Sequence, residues 1–287
     1  MKKTQKSKDS LSMRSFRKLI SNRLAMFGLF FLVVIIAACM LAPVLTPYDP
    51  MALNTKEKLA PMSWEHPLGT DQLGRDIFSR ILYGGRLTIG VALGSSILSS
   101  LLGVIFGCIS GYYGGKVDSV LRTVGEFILC FPNTILTMLV MAFFGQSVLL
   151  IMAVWVLTGW VSGMRMVRSK ILSLKEEAYV DSCRANGVSN VSIMFRHLLP
   201  NTVGTVIVGL TMNVASKVLA EAGLSFLGMG ISPSDPSWGN IINAAKSMSV
   251  MINSPQLWII PGIVISIFVL SCNFFGDGLR DALDVTQ

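Results

Sequence analysis

The sequence predicts an all-α, polytopic membrane protein with about six transmembrane helices, and three observations predict it. Only 14% of the 287 residues are charged and 52% are hydrophobic, against roughly 25% charged in a soluble domain; so few charges cannot cover a protein in water. The charges are missing from long continuous stretches, several of them near the ~20 residues that a spanning helix needs. Threading those stretches through a bilayer gathers most Lys and Arg on one side.

The elements follow in chain order. Residues 1–23 are a basic tail with Lys2, Lys3, Lys6, Lys8, Arg14, Arg17, Lys18 and Arg23. Residues 24–46 are the first span. Its apolar part exceeds the roughly 7–15 residues of a secretory signal core, and no clear small-residue cleavage site follows, so it reads as a retained anchor. Residues 47–86 are an extracytoplasmic loop, and residues 87–276 are the core. The core spans fall at about 87–110, 127–144, 148–164, 202–222 and 257–276. Phe127–Met164 is uncharged but too long for one span, and Phe144-Gly145-Gln146-Ser147 supplies the turn that divides it. Pro132 and Pro261 fall inside spans, where a bilayer helix tolerates them. Residues 229–256 form a second extracytoplasmic loop, and 277–287 a tail.

With the N-terminus inside, the outer segments hold only Lys56, Lys58, Arg75, Arg80, Arg86 and Lys246. Lys217 lies in a span, and every other Lys and Arg is inside. Both chain ends are therefore expected in the cytoplasm. The net charge of +8 then faces anionic lipid headgroups, with no call for nucleic acid.

Cys39, Cys108, Cys130, Cys183 and Cys272 form no CxxC pair, which argues against a disulfide framework or metal cage. His66 and His197 stand far apart in sequence. The 16 Met residues are more simply gap-filling than metal-carrying.

The inner loop 165–201 is too long for a plain connector. Ser173 and Glu176 have capping-box spacing, which predicts a helix start there. Glu176 and Glu177 suit its N-terminal end and Arg184 its C-terminal end. Gly187 can close it in the left-handed conformation. Ser189 or Asn190 can cap a second short helix, with Val191, Met194, Phe195 and Leu198 near one face and Pro200 as its stop. This is a helix–turn–helix. It fits either an amphipathic hairpin lying on the inner leaflet or a knob for a partner's groove.

Asp181-Ser182-Cys183, then Gly187, His197 and Leu199-Pro200, have the spacing of the EAA loop of ABC importer permeases, EAA-x3-G-x9-I-x-LP. The head departs from that pattern, and His197 replaces Ile. Three further stretches resemble the dipeptide/oligopeptide/nickel permease family of those importers. They are His66–Asp76 (HPLGTDQLGRD), Glu221–Gly228 (EAGLSFLG) with Pro236-Ser237-Trp238-Gly239 following, and Gly276–Asp284 (GDGLRDALD) with Val285 in place of the family's proline. The blend resembles the second permease of such systems.

That resemblance implies a type I ABC importer permease fold in a prokaryotic cytoplasmic (inner) membrane. It implies a second homologous permease, two cytoplasmic ATPase subunits and an extracytoplasmic solute-binding protein as partners. The loop at Asp181, Ser182, Cys183, Gly187, His197, Leu199 and Pro200 would couple the spans to an ATPase. The chain would be no enzyme and hold no cofactor or metal, ATP being used by its partners. Its nearest approach to a phosphate-binding loop, Gly115-Lys116, has Val117 where Ser or Thr is needed and Ser110 where the first Gly belongs. The implied solute is a di- or oligopeptide, with nickel or a metal chelate as the alternative.

Two ionisable groups lie in the fifth span. Lys217 and Glu221 are one turn apart and are expected to neutralise each other, a pathway-lining role being the alternative. Glu126 is expected to pair with Arg122. An ion-driven secondary transporter would need inverted repeats and midplane charged sites, and a membrane enzyme a catalytic cluster; the sequence shows neither repeat nor cluster. Trp64 and Trp238, in the outer loops, suit either contact with a binding protein or interfacial anchoring, and Trp258 suits anchoring.

Overall fold

A computed structural model of the chain describes residues 11–283. Lys2, Lys3, Lys6, Lys8, the Arg14 side chain, Asp284 and Val285 lie outside what it describes. It is 77% helical with no strands among the described residues. A short helix, α1 (Leu11–Ser21), and a longer one, α2 (Arg23–Met40), precede the core, with one turn, α3 (Ala42–Leu45), after them. Then come α4 (Ile77–Tyr113), α5 (Gly115–Leu129), α6 (Asn133–Phe144) and α7 (Val148–Leu174). A hairpin of α8 (Ala178–Ala185) and α9 (Asn190–Ser192) leads through a π-turn (Ile193–Leu198) and a 3-10 turn (Leu199–Asn201) to α10 (Val203–Phe226). Short α11 (Trp238–Ala244) and α12 (Met248–Asn253) precede the long α13 (Gln256–Leu283).

Five helices (α2, α4, α7, α10, α13) are long and apolar enough to span, and α5 with α6, bent by 71°, passes the same test as a pair, which gives five to six candidate spans. The bend falls at Cys130-Phe131-Pro132, where Pro132 has no N–H to donate to the previous turn. The third span thus starts at Gly115 and is broken, where the sequence predicted a plain helix over 127–144. The second starts at Ile77 rather than 87. Asp76 caps it by accepting from Ser79 N at 2.7 Å, and Arg80 is buried inside the first turns with Nη1 donating to Pro50 O at 2.9 Å. The fourth runs on to Leu174, past the expected end at 164.

The seam between α4 and α7 explains the core's closeness. Gly103, Gly107 and Gly111 form a groove one residue deep. A Cβ at Gly103 would stand 3.0 Å from the Gly163 backbone, and one at Gly107 2.7 Å from Val167 Cβ. Backbones approaching like this replace the hydrophobic drive that helices lack in lipid. On the other side α2 lies against α13: a Cβ on Gly28 would stand 2.6 Å from Ser271 O, and one on Gly278 would overlap Ala25. The far end of α2 is held by Arg86 of α4, which donates from Nε to Cys39 O at 2.6 Å and from Nη2 to Met40 O. The outer faces carry exposed Phe27, Phe30, Leu101 and Phe143, a surface suited to lipid.

The segment between α3 and α4 is a folded loop. Arg75 Nε donates to Asp71 Oδ2 at 2.7 Å, and Asp71 Oδ1 accepts from Leu73 N and Arg75 N. His66 lies between Asp76 (2.9 Å) and Glu57 (3.2 Å). Burial pulls its pKa down, but hydrogen bonds to Asp76 and Glu57 and their charges outweigh that, leaving it above the ordinary value. Asp71, Arg75 and Asp76 therefore brace this loop internally. Trp64 is fully exposed at its tip. Trp238 is completely buried on α11, its indole donating to Ile81 O at 2.9 Å. Trp258 is partly exposed.

Candidate functional site

The hairpin between α7 and α10 begins later than the capping-box spacing predicts. Ser173 stays inside α7, which continues to Leu174, and Glu177 takes the N-cap position of α8. The acidic and basic ends are as read from the sequence, with Asp181 in the first turn and Arg184 in the last. Arg184 Nη1 reaches Asp181 Oδ1 at 3.0 Å, but both side chains are well exposed, so solvent screens the pair and it adds little to stability.

The turn between the helices is a Schellman closure. Val188 N donates to Cys183 O and Gly187 N to Arg184 O, both at 3.0 Å, with Gly187 at φ +73°. Ser189, not Asn190, caps the second helix, its Oγ accepting from Ser192 N at 3.4 Å. Asn190 Oδ1 instead accepts from Tyr112 Oη of α4 at 2.7 Å. The Arg184 guanidinium lies over the Tyr112 ring, 5.8 Å from its centre. Tyr112 therefore ties both hairpin helices to one span end.

The expected single apolar face splits in two. Val180, Ile193 and Leu198 are completely buried and join Cys108 of α4 with Val167 and Ile171 of α7 in one cluster; Cys183, Val188 and Leu199 pack against it. Met194 is buried too. Val191 and Phe195, expected beside Met194 and Leu198, point outward with Tyr179, exposed at 59%, 42% and 39%. The wide π-turn rotates Ile193, Met194 and Leu198 together towards the spans. Asp181, Ser182 and Gly187 are exposed, Cys183 and His197 half-buried, and Pro200 is exposed at the 3-10 turn entering α10. The His197 backbone carbonyl accepts from Asn201 Nδ2 at 2.7 Å.

Behind the hairpin, Arg168 of α7 donates from Nε and Nη2 to the two carboxylate oxygens of Asp118 on α5, at 2.5 and 2.6 Å. Ser110 Oγ of α4 joins the same carboxylate at 2.5 Å. Arg122 also pairs with Asp118, at 3.3 Å, in place of the expected Arg122–Glu126 pair.

Residues 103–285 match the family described as binding-protein-dependent transport system inner membrane component, and residues 10–61 match the N-terminal TM domain of oligopeptide transport permease C. The chain belongs to this family of ABC importer permeases. The permease is 36% identical over 277 residues to the dipeptide transport system permease protein of Bacillus subtilis, covering 96% of this chain and 86% of that one. It is 34% identical over 280 residues to the oligopeptide transport system permease protein of the same organism, covering 97% and 91%. It is 34% identical over 271 residues to the glutathione transport system permease protein of Pectobacterium atrosepticum, covering 94% and 89%. As a family member the permease is a multi-span inner-membrane transport subunit.

The expected Lys217–Glu221 pair is not formed. Lys217 Nζ donates to Ser99 Oγ of α4 at 3.1 Å. Glu221 is completely buried and accepts from Thr88 Oγ1 of α4 at 3.0 Å and from Ser225 Oγ at 2.7 Å. Thr88 Oγ1 in turn accepts from Trp238 N at 3.2 Å. Glu221 thus joins α10, α4 and α11. Residues one turn apart share a helix flank, yet better partners on neighbouring helices draw each side chain its own way.

Proposed function

We propose that this permease works with a second, homologous permease, two cytoplasmic ATPases and an extracytoplasmic solute-binding protein to import di- and oligopeptides. The carrying observation is the two-sided hairpin. Its inner side is locked to α4 and α7, while Tyr179, Val191 and Phe195 form an outward apolar face. A rigid knob of this kind, seated in an ATPase groove, turns closure of the ATPases into tilting of α4, α7 and α10. On this reading the hairpin and both chain ends are cytoplasmic, in line with the Lys and Arg distribution. The braced loop carrying Trp64 then faces the binding protein. Peptides are the solute because the relatives above are named for dipeptide, oligopeptide and glutathione transport.

Uptake of labelled di- and tripeptides and of labelled nickel, in cells lacking this gene, tests the solute. Loss of peptide uptake alone, restored by the gene, is expected; loss of nickel uptake alone overturns the peptide reading. Phe195→Asp tests the coupling face. The detergent-solubilised variant should keep its spans folded and lose the co-purifying ATPase, whereas wild-type co-purification and uptake would move the coupling site elsewhere.

A further inference from the structure

The first helix, α1, has a composition that neither water nor the bilayer core accepts. Its eleven residues (LSMRSFRKLIS) include Arg14, Arg17 and Lys18, and Arg23 follows at the start of α2. So many basic groups on so short a helix keep it out of hydrocarbon, where each carries a heavy cost. Yet Phe16 and Ile20, one turn apart on the same flank, are 59% and 50% exposed, and Leu24 just beyond them is 60% exposed. α1 packs against α13 and α2, and that packing leaves the flank open. An amphipathic helix of this kind satisfies both halves only at a membrane surface.

The joint with α2 puts it there. At Asn22 the backbone turns extended, and Asn22 Oδ1 accepts from Leu24 N at 3.1 Å and from Ala25 N at 3.2 Å, so a new helix starts. α1 is thus a separate helix tied to the end of the first candidate span, not an extension of it.

Charge decides which lipid it meets. Residues 1–23 hold eight Lys or Arg and a single acid, Asp9, and no further acid occurs before Asp49. Arg17, Lys18 and Arg23 are all exposed. Clusters of roughly four to eight basic groups beside a span recognise anionic headgroups.

We propose that α1 lies in the membrane surface, with Phe16 and Ile20 dipped among the acyl chains and Lys18 and Arg23 on the phosphates of anionic phospholipid. A basic protein is drawn to its membrane in general; here one helix, two anchoring side chains and one class of lipid carry the contact. The contact is independent of the solute. On the orientation proposed above, the leaflet is the cytoplasmic one.

Hydrogen exchange of the α1 amides tests this. The permease, in its complete assembly, is reconstituted into vesicles of phosphatidylcholine alone, or of phosphatidylcholine and phosphatidylglycerol in equal parts. Rates are read relative to the amides of α4, an internal standard for the folded spans. α1 should exchange about tenfold more slowly in the phosphatidylglycerol vesicles, and high salt should erase most of the difference. Lys18→Gln with Arg23→Gln should remove most of it too. Phe16→Gln with Ile20→Gln should speed exchange in both vesicles; Gln keeps a good helix propensity. Equal protection of α1 in the two kinds of vesicle overturns the proposal: high in both assigns the flank to a partner subunit or to α13, and low in both leaves α1 in water. The wild-type comparison decides this without any substitution. Protection that survives Phe16→Gln with Ile20→Gln unchanged also overturns it, because the headgroups would then act on α1 from outside the membrane.

Discussion

Arg168 grips both carboxylate oxygens of Asp118, at 2.5 and 2.6 Å, and so fixes the start of the broken third span to α7. The two side chains are only 25% and 10% exposed, which shields the pair from solvent more than a surface bridge. Ser110 adds α4 to the same point.

Removing one member of this pair leaves the other poorly compensated. Arg168→Met or Asp118→Asn should each destabilise the detergent-solubilised protein by about 1–3 kcal/mol, and Arg168→Lys, which cannot grip both oxygens, by somewhat less. The double variant should fall short of the sum by about 1 kcal/mol or more. Thermal unfolding of the wild type and the four variants measures this; strict additivity would mean that Asp118 relies on Arg122 instead.

Gly187 is held at φ +73°, and no atom lies within 4 Å of the place a Cβ would occupy. A substitution there suffers only backbone strain, about 1 kcal/mol for Ala and more for a β-branched residue. Uptake should therefore fall in the order Gly, Asn, Ala, Val, with the melting of the spans unchanged. A Val variant that transports like wild type would show that hairpin closure is not limiting.

Glu221 has no exposed surface and takes hydrogen bonds from α4 and from its own helix. Glu221→Gln keeps an acceptor oxygen for Thr88 and should cost about 1 kcal/mol, whereas Glu221→Ala strands two buried hydroxyls and opens a cavity, costing about 2–4 kcal/mol. Hydrogen exchange around Trp238 reads the difference, since Trp238 N bonds to Thr88. Equal protection in both variants would place the hold on α11 elsewhere.

The outer loop should depend on pH through His66. Its pKa is raised in the folded loop, so protonation favours the folded form. The stabilisation is complete below the unfolded value of about 6.5 and is lost as pH rises through the higher folded value. Trypsin cleavage at Lys56 and Lys58 should accelerate over that interval, and His66→Gln should flatten the profile. A wild-type profile that is already flat would leave Asp76 and Glu57 without this role.

Hydropathy was enough for the fold class and the approximate number of spans, though not for their ends, because burial in lipid is a property of each segment alone. The Schellman turn at Gly187 was legible for a similar reason: its bonds are local. What escaped the sequence was decided by neighbours. The start of α4 at Ile77 is hidden by Arg80 and Arg86, which look like loop residues until Pro50 and α2 supply carbonyls for them. The split of the hairpin's apolar residues depends on the π-turn, which periodicity at 3.6 residues cannot show. The grip of Arg168 on Asp118 joins residues fifty positions apart, with no motif to link them. The α4 groove did leave a signal, since Gly103, Gly107 and Gly111 recur at four-residue spacing.

The contact between α2 and α13 has a consequence for how the molecule is made. Gly28 and Ala25 present a smooth, shallow flank against which Ser271, Phe274 and Gly278 fit closely. The first span to leave the ribosome thus waits for the last before its packing is complete. During that interval the nascent chain carries an unfinished edge in the bilayer, held meanwhile at its far end by Arg86. Truncation ahead of Gln256 would make the edge permanent, and membrane quality-control proteases would meet it there first.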